Sequence, residues 1–188
     1  MSENALQRLK EGNARFAAET PQQNIVTAEL RNSLFKNGQK PYAAIVGCSD
    51  SRVPVEIIFD TGPGELFVIR TAGVVTGPME IGSLELAIEF FKVPLIVVLG
   101  HQACGAVCAA VDGKSFTGCC IEDVLQELCC CTKKLEQGKP YDYYEDAVIQ
   151  YTLKKLMSSS YISKAVFEGR VNLIGAKYSQ DTGVVTFF

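Results

Sequence analysis

Two short clusters hold the residues of this chain best suited to chemistry, Cys48-Ser49-Asp50-Ser51-Arg52 and His101-Gln102-Ala103-Cys104. Each follows an apolar, β-rich run, at 42–47 for the first and 95–100 for the second. Such runs read as short buried strands. Both clusters therefore fall at strand C-terminal ends, the edge of an open α/β sheet where ligands bind. Two thiols and one imidazole gathered there suit a zinc ion. Three protein ligands leave a fourth position for water, the arrangement of a catalytic rather than a structural site. Either cluster alone is weak evidence, because buried free cysteines and packed histidines are common. Their joint occurrence on two strands of one small domain is what points to a metal. Asp50 and Arg52 stand two apart on a segment read as extended, so their side chains should project to one side and pair.

The elements that must position these clusters follow from periodicity. An amphipathic helix is expected over 3–18, with Leu6, Leu9, Asn13 and Phe16 at helical spacing. A loop at 20–24 and a short helix over 27–36 follow, the helix closed by Asn37-Gly38. Strands are expected over 42–46, 66–70, 95–99 and 171–178, with a terminal strand over 184–188. Between them lie a helical turn or irregular piece at 55–59, the tight turn Gly62-Pro63-Gly64, and helices over 82–91, 103–111, 121–135 and 144–157. Strands alternating with helices imply an α/β fold, a mostly parallel central sheet flanked by helices. No repeat or linker divides the sequence, so residues 1–188 read as one domain, long enough to bury a good core. Gly113-Lys114-Ser115 looks like the end of a phosphate-binding loop, but position 108, where that motif needs glycine, is cysteine.

Composition narrows the function. Hydrophobic residues make up 47% and charged residues 21%, as in a soluble globular protein. A net charge of −3 argues against nucleic acid, which calls for a basic face. The opening residues show no signal peptide, and the longest apolar run, 93–99, is too short to span a bilayer. A cytoplasmic protein without a membrane partner is therefore expected. There the eight cysteines would stay mostly reduced. Cys108, four residues past Cys104, should share its helical face and pack inward. Cys119, Cys120, Cys129, Cys130 and Cys131 fit no Cys-x-x-Cys spacing and read as small apolar fillers or surface thiols.

These motifs resemble the β-class carbonic anhydrases. Cys48 to Val53 is similar to that family's first signature, and Gly100 to Gly105 to its second. Phe67-Val68-Ile69-Arg70-Thr71-Ala72-Gly73 and Ser83-Leu84-Glu85-Leu86-Ala87 resemble two family segments that lie between them. So do the stretches at 9–16 and 174–183, and the resemblance thins between about residues 108 and 140. It implies zinc bound by Cys48, His101 and Cys104, and reversible hydration of carbon dioxide to bicarbonate. By the same resemblance, Asp50 accepts a hydrogen bond from the zinc-bound hydroxide or serves as a possible fourth ligand, and Arg52 keeps it off the metal. Gln39, Phe67 and Ala72 match substrate-binding positions of the plant-type branch. Leu86 stands where that branch has a pocket tyrosine, and Thr71 where asparagine is usual. Hydrolysis of carbonyl sulfide or carbon disulfide, or non-catalytic zinc or thiol binding, are the competing readings. The resemblance further implies a homodimer or a larger dimer-based oligomer, with the amino-terminal helix extending across the partner. The apolar ending 184–188 would be a sticky edge strand in a monomer.

Overall fold

The computed structural model describes residues 1–22 and 26–188. Five strands form one sheet: β1 (Ala43–Cys48), β2 (Leu66–Thr71), β3 (Leu95–His101), β4 (Asn172–Tyr178) and β5 (Val185–Phe187). Their order is β2-β1-β3-β4-β5, parallel throughout except that β5 runs antiparallel to β4. β1 and β3 lie at the centre and are buried at every residue. This explains why both read as continuous apolar runs rather than alternating ones.

Alternate side chains of the central strands feed two cores. Ala44, Val46, Ile96 and Val98 face the layer formed by α4 (Pro78–Phe91), α5 (Gly105–Val111), α6 (Ile121–Thr132), α7 (Tyr141–Met157) and α8 (Ser160–Phe167). Ala43, Ile45, Leu95, Val97 and Leu99 face the thinner layer of α1 (Ser2–Ala17) and α3 (Val55–Ile58). The remaining helix, α2 (Ala28–Asn37), buries none of its residues. Asn13 ties α1 to the end of the chain: its amide donates to the carbonyls of Ile58 and Gly183, and its oxygen accepts from Val185 N–H.

Most element boundaries differ from the expected ones by a few residues, each for a local reason. α4 starts at Pro78 rather than 82, because proline is preset for a first turn and the Glu80 carboxylate accepts Gly77 N–H at 2.7 Å. α7 starts three residues early, directly after Pro140. α5 starts at Gly105 rather than 103, because Ala103 takes a left-handed φ of 53° and Cys104 is extended. α8 was not foreseen at all; its start is marked by the Ser159 hydroxyl, which accepts Ile162 N–H at 3.2 Å. Of the loop expected at 20–24, residues 23 and 24 lie outside the described ones. Among the described residues, no helix is long and apolar enough to cross a membrane.

Candidate metal centre

β1 and β3 are parallel neighbours in register from Ala44 with Ile96 to Gly47 with Leu99. Cys48 and His101 therefore end side by side at the same sheet edge. The left-handed turn at Ala103 then brings Cys104 back over them. The three ligand atoms lie within 4.8 Å of one another, and all three residues are buried. The sulfurs of Cys48 and Cys104 are 4.0 Å apart, and both thiols are free. Two sulfurs bound tetrahedrally at ~2.3 Å would lie about 3.8 Å apart, so the spacing suits zinc with little adjustment.

His101 supplies the more telling fit. Its Nδ1 lies 2.8 Å from the Gln102 carbonyl, which only accepts, so the ring proton belongs on Nδ1. Gln180 Nε2 lies 2.9 Å from the same nitrogen; because a proton on Nδ1 leaves it nothing to donate to, the two ends of that amide exchange, and its oxygen then shares the proton. Nε2 is left as a bare lone pair, buried and without a hydrogen-bond partner. Buried polar atoms are rarely left so. This one points into the group of thiols, and outer-shell bonding at the other ring nitrogen is what metal-ligating histidines use to set their tautomer.

The thiols are unequal. The Cys104 thiol beside Cys48 lowers Cys48 to about 4 against the opposing effect of burial, with His101 and the Asp50 N–H helping. Cys104 is pushed up by Cys48 and by burial. One negative charge is thus easily held, and a second calls for a cation. For His101, burial disfavours the proton, but contact with Cys48 outweighs it and the net shift is upward.

Asp50 and Arg52 pair, but not along an extended segment. Val53 N–H donates to Asp50 C=O at 3.0 Å, closing a turn over 50–53. Asp50 Oδ1 accepts from both the backbone N–H and Nε of Arg52, at 2.9 and 3.0 Å, and Oδ2 accepts from Nη2 at 2.7 Å. The turn wins over extension because the short carboxylate can bond the N–H two residues on. Arg52 side-chain bonds, aided by its charge, hold the Asp50 carboxyl well below the usual carboxylate range. Both Asp50 oxygens are engaged by Arg52, and the metal-type group comprises only Cys48, His101 and Cys104. Arg70 braces the same loop from β2, donating to the carbonyls of Cys48 at 2.8 Å and Asp50 at 2.7 Å.

Ala72 is exposed and follows Thr71, the register partner of Cys48, so it borders this edge. Gln39, Phe67 and Leu86 do not. Gln39 precedes β1 near Gly64, and Phe67 pairs with Ala44, four residues before Thr71 and so roughly 13 Å down the strand at ~3.3 Å per residue. Phe67 packs on Phe91, and Leu86 lies exposed on α4. Strand direction sets Phe67 and, ahead of β1, Gln39 apart from the cluster, whereas Leu86 stands on a helix. Cys108 is half-buried; Cys119, Cys120 and Cys130 are exposed, and Cys129 and Cys131 half-buried.

Sequence reading missed Glu145, Lys177 and Gln180. Gln180 belongs to the tail stretch already singled out, without a role. Glu145 had a signal: it is a charge on the face of α7 that carries Tyr144, Val148 and Ile149, and it is buried. Glu145 and Val107 help line a cavity of about 10 Å³ beside Cys48, His101 and Cys104, room for about one water.

Comparison with known proteins agrees with this geometry. The family model described as carbonic anhydrase matches residues 43–185. Carbonic anhydrase 2 of Mycobacterium tuberculosis is 40% identical over 185 residues, covering 95% of this chain and 89% of its own. The β-carbonic anhydrase CafA of Aspergillus fumigatus superposes with a TM-score of 0.76 at 26% identity, over 99% of this chain and 89% of that one. A tetrameric β-carbonic anhydrase of Sordaria macrospora shares the fold, with a TM-score of 0.73 at 24% identity over 98% and 97% of the two chains. Sequence similarity over nearly the whole length, carried on a shared architecture, leads to one assignment: this chain belongs to the β-class carbonic anhydrase family.

Proposed function

We propose that this carbonic anhydrase hydrates carbon dioxide reversibly, giving bicarbonate and a proton, at a zinc ion held by Cys48, His101 and Cys104. The observation that carries the reading is the unpartnered, buried Nε2 of His101 converging with two thiols. Zinc held there supplies a Lewis acid that lowers the pKa of a water toward ~7, so that a hydroxide nucleophile exists at neutral pH. Asp50, kept ionised by Arg52, accepts a hydrogen bond at a carboxylate oxygen and so aims the nucleophile's lone pair. Arg52 fixes that carboxylate through its fork and anchors itself on the Ala103 carbonyl at 3.1 Å, which keeps Asp50 from swinging onto the metal. A neutral, linear substrate needs only a small apolar wall, and Ala72 stands at the right edge to offer one.

The same reading covers assembly. Gln39, Phe67 and Leu86 can serve substrate only if a second copy carries them to the site, so the enzyme works as a homodimer or a dimer-based oligomer in which each chain is one domain over residues 1–188. Met79, Leu86 and Phe90 support this: they are exposed and fall on one face of α4, an apolar stripe suited to burial. Eight free thiols fit the reducing cytoplasm as its location.

Stopped-flow hydration of carbon dioxide with a pH indicator, on protein of measured zinc content, tests the proposal. About one zinc per chain and rapid hydration are expected, with most zinc lost in Cys104→Ser. Full zinc retention in that variant removes the ligand assignment. Zinc-loaded protein that hydrolyses carbonyl sulfide or carbon disulfide but leaves carbon dioxide untouched changes the substrate. Zinc-loaded protein inert to all three returns the site to a binding role.

A further inference from the structure

The peptide unit joining Ala103 to Cys104 is held at both ends by ion pairs. Its carbonyl accepts from Arg52, already paired with Asp50. Its N–H, on Cys104, donates to Glu145 Oε1 at 3.2 Å, and Glu145 Oε2 lies 3.2 Å from Lys177 Nζ. The Glu145 residue is 3% exposed and the Lys177 side chain 12%. Asp142 and Asp146 also pair with Lys177, so one ammonium is shared among three carboxylates, of which Glu145 is the buried one. A buried charge of this kind is costly unless it is paired and hydrogen-bonded, and this one is both.

The peptide needs holding. Ala103 sits at a φ of 53°, which residues with a Cβ adopt infrequently. Cys104 follows directly and stands before the first residue of α5, so the angle of this one peptide sets where its sulfur points. We propose that Glu145, held by Lys177, is a positioning residue that aims the Cys104 thiolate at the metal by fixing the Cys104 N–H from behind. Glu145 comes from α7 and Lys177 from β4, so the C-terminal part of the chain would tune a ligand set built by β1 and β3. The inference rests on Cys48, His101 and Cys104 being metal ligands.

Two variants of the full-length protein separate hydrogen-bond positioning from simple charge balance. Glu145→Gln keeps an acceptor oxygen at the same reach and gives up the charge. Glu145→Asp keeps the charge for Lys177 but withdraws the acceptor by one methylene. Zinc dissociation constants are measured by competition with a chromogenic chelator, and the visible spectrum is recorded on cobalt-loaded protein. Glu145→Gln should stay within about threefold of wild type with an unchanged cobalt spectrum. Glu145→Asp should bind zinc 10–100-fold more weakly and shift the thiolate–cobalt and d–d bands. If the aspartate variant does not fold, Glu145→Met, which removes the acceptor at similar length, takes its place with the same expectation. Any other pattern overturns the proposal, whether both variants keep their affinity, both lose it, or the order reverses. Wild-type protein that binds no zinc defeats the metal reading itself, a separate and recognisable failure.

Discussion

Gly100→Ala tests how closely α7 must approach the strand that carries His101. A Cβ at Gly100 would stand 2.5 Å from Cδ1 and 2.6 Å from Cγ1 of Ile149, which is fully buried. Rotation about χ2 can move Cδ1 aside, but Cγ1 moves only with χ1, and that torsion is stiff in a β-branched helical residue. Such overpacking costs about 1–3 kcal/mol. At ~2–4 °C per kcal/mol for a chain of this size, Tm should fall by about 2–12 °C. Urea unfolding of the single and double variants is the decisive assay. Ile149→Ala alone should cost about 2–5 kcal/mol. Combined with Gly100→Ala it should cost less than the sum, with a favourable coupling of about 0.5–3 kcal/mol. A wild-type urea midpoint for Gly100→Ala, or strict additivity, would refute the contact argument.

Three further outcomes are expected. Asp50→Ala and Arg52→Lys should each lower carbon dioxide hydration by about 10²-fold with zinc content intact, since in the proposed reaction Asp50 aims the nucleophile and lysine cannot form the two-pronged contact; near-normal stopped-flow rates in both would leave the pair a structural bridge. The only histidine is His101, so no second imidazole remains to export the proton. Steady-state kcat should therefore rise with added imidazole at fixed pH and ionic strength while kcat/KM stays flat, and a buffer-independent kcat would reveal an internal carrier. Burial pushes Tyr42 up to about 12, against a smaller opposing pull from Arg8. A phenol whose folded pKa is raised contributes stability that is present below its unfolded pKa of ~10 and is lost as pH climbs toward 12. Urea midpoints measured across that window should decline less steeply in Tyr42→Phe than in wild type, and identical slopes would show that Tyr42 does not contribute.

The grouping of Cys48, His101 and Cys104 and the fold class were legible in the sequence because both rest on short-range signals. Apolar runs end abruptly at Cys48 and His101, and in a parallel sheet neighbouring strands must end at the same edge. Asp50 with Arg52 was readable as a pair from spacing alone, although the turn that makes the pair was not. The backbone N–H of Arg52 competes for the carboxylate, and spacing does not show that. The unforeseen helix α8 is brief and held by a serine cap and its packing, a weak periodic signal in eight residues. Tertiary structure alone decided what lies behind the Cys48, His101 and Cys104 cluster. Glu145 and Cys104 are 41 positions apart, and Gln180 and His101 are 79 apart. No local pattern links such pairs; they meet because α7 lies against β3 and the chain end folds over its edge. For the same reason, Gln39 and Phe67 could be aligned to a pocket but not placed in one. A strand carries its two ends to opposite edges of the sheet, so which side chains reach the Cys48, His101 and Cys104 cluster is settled by the packing of whole elements.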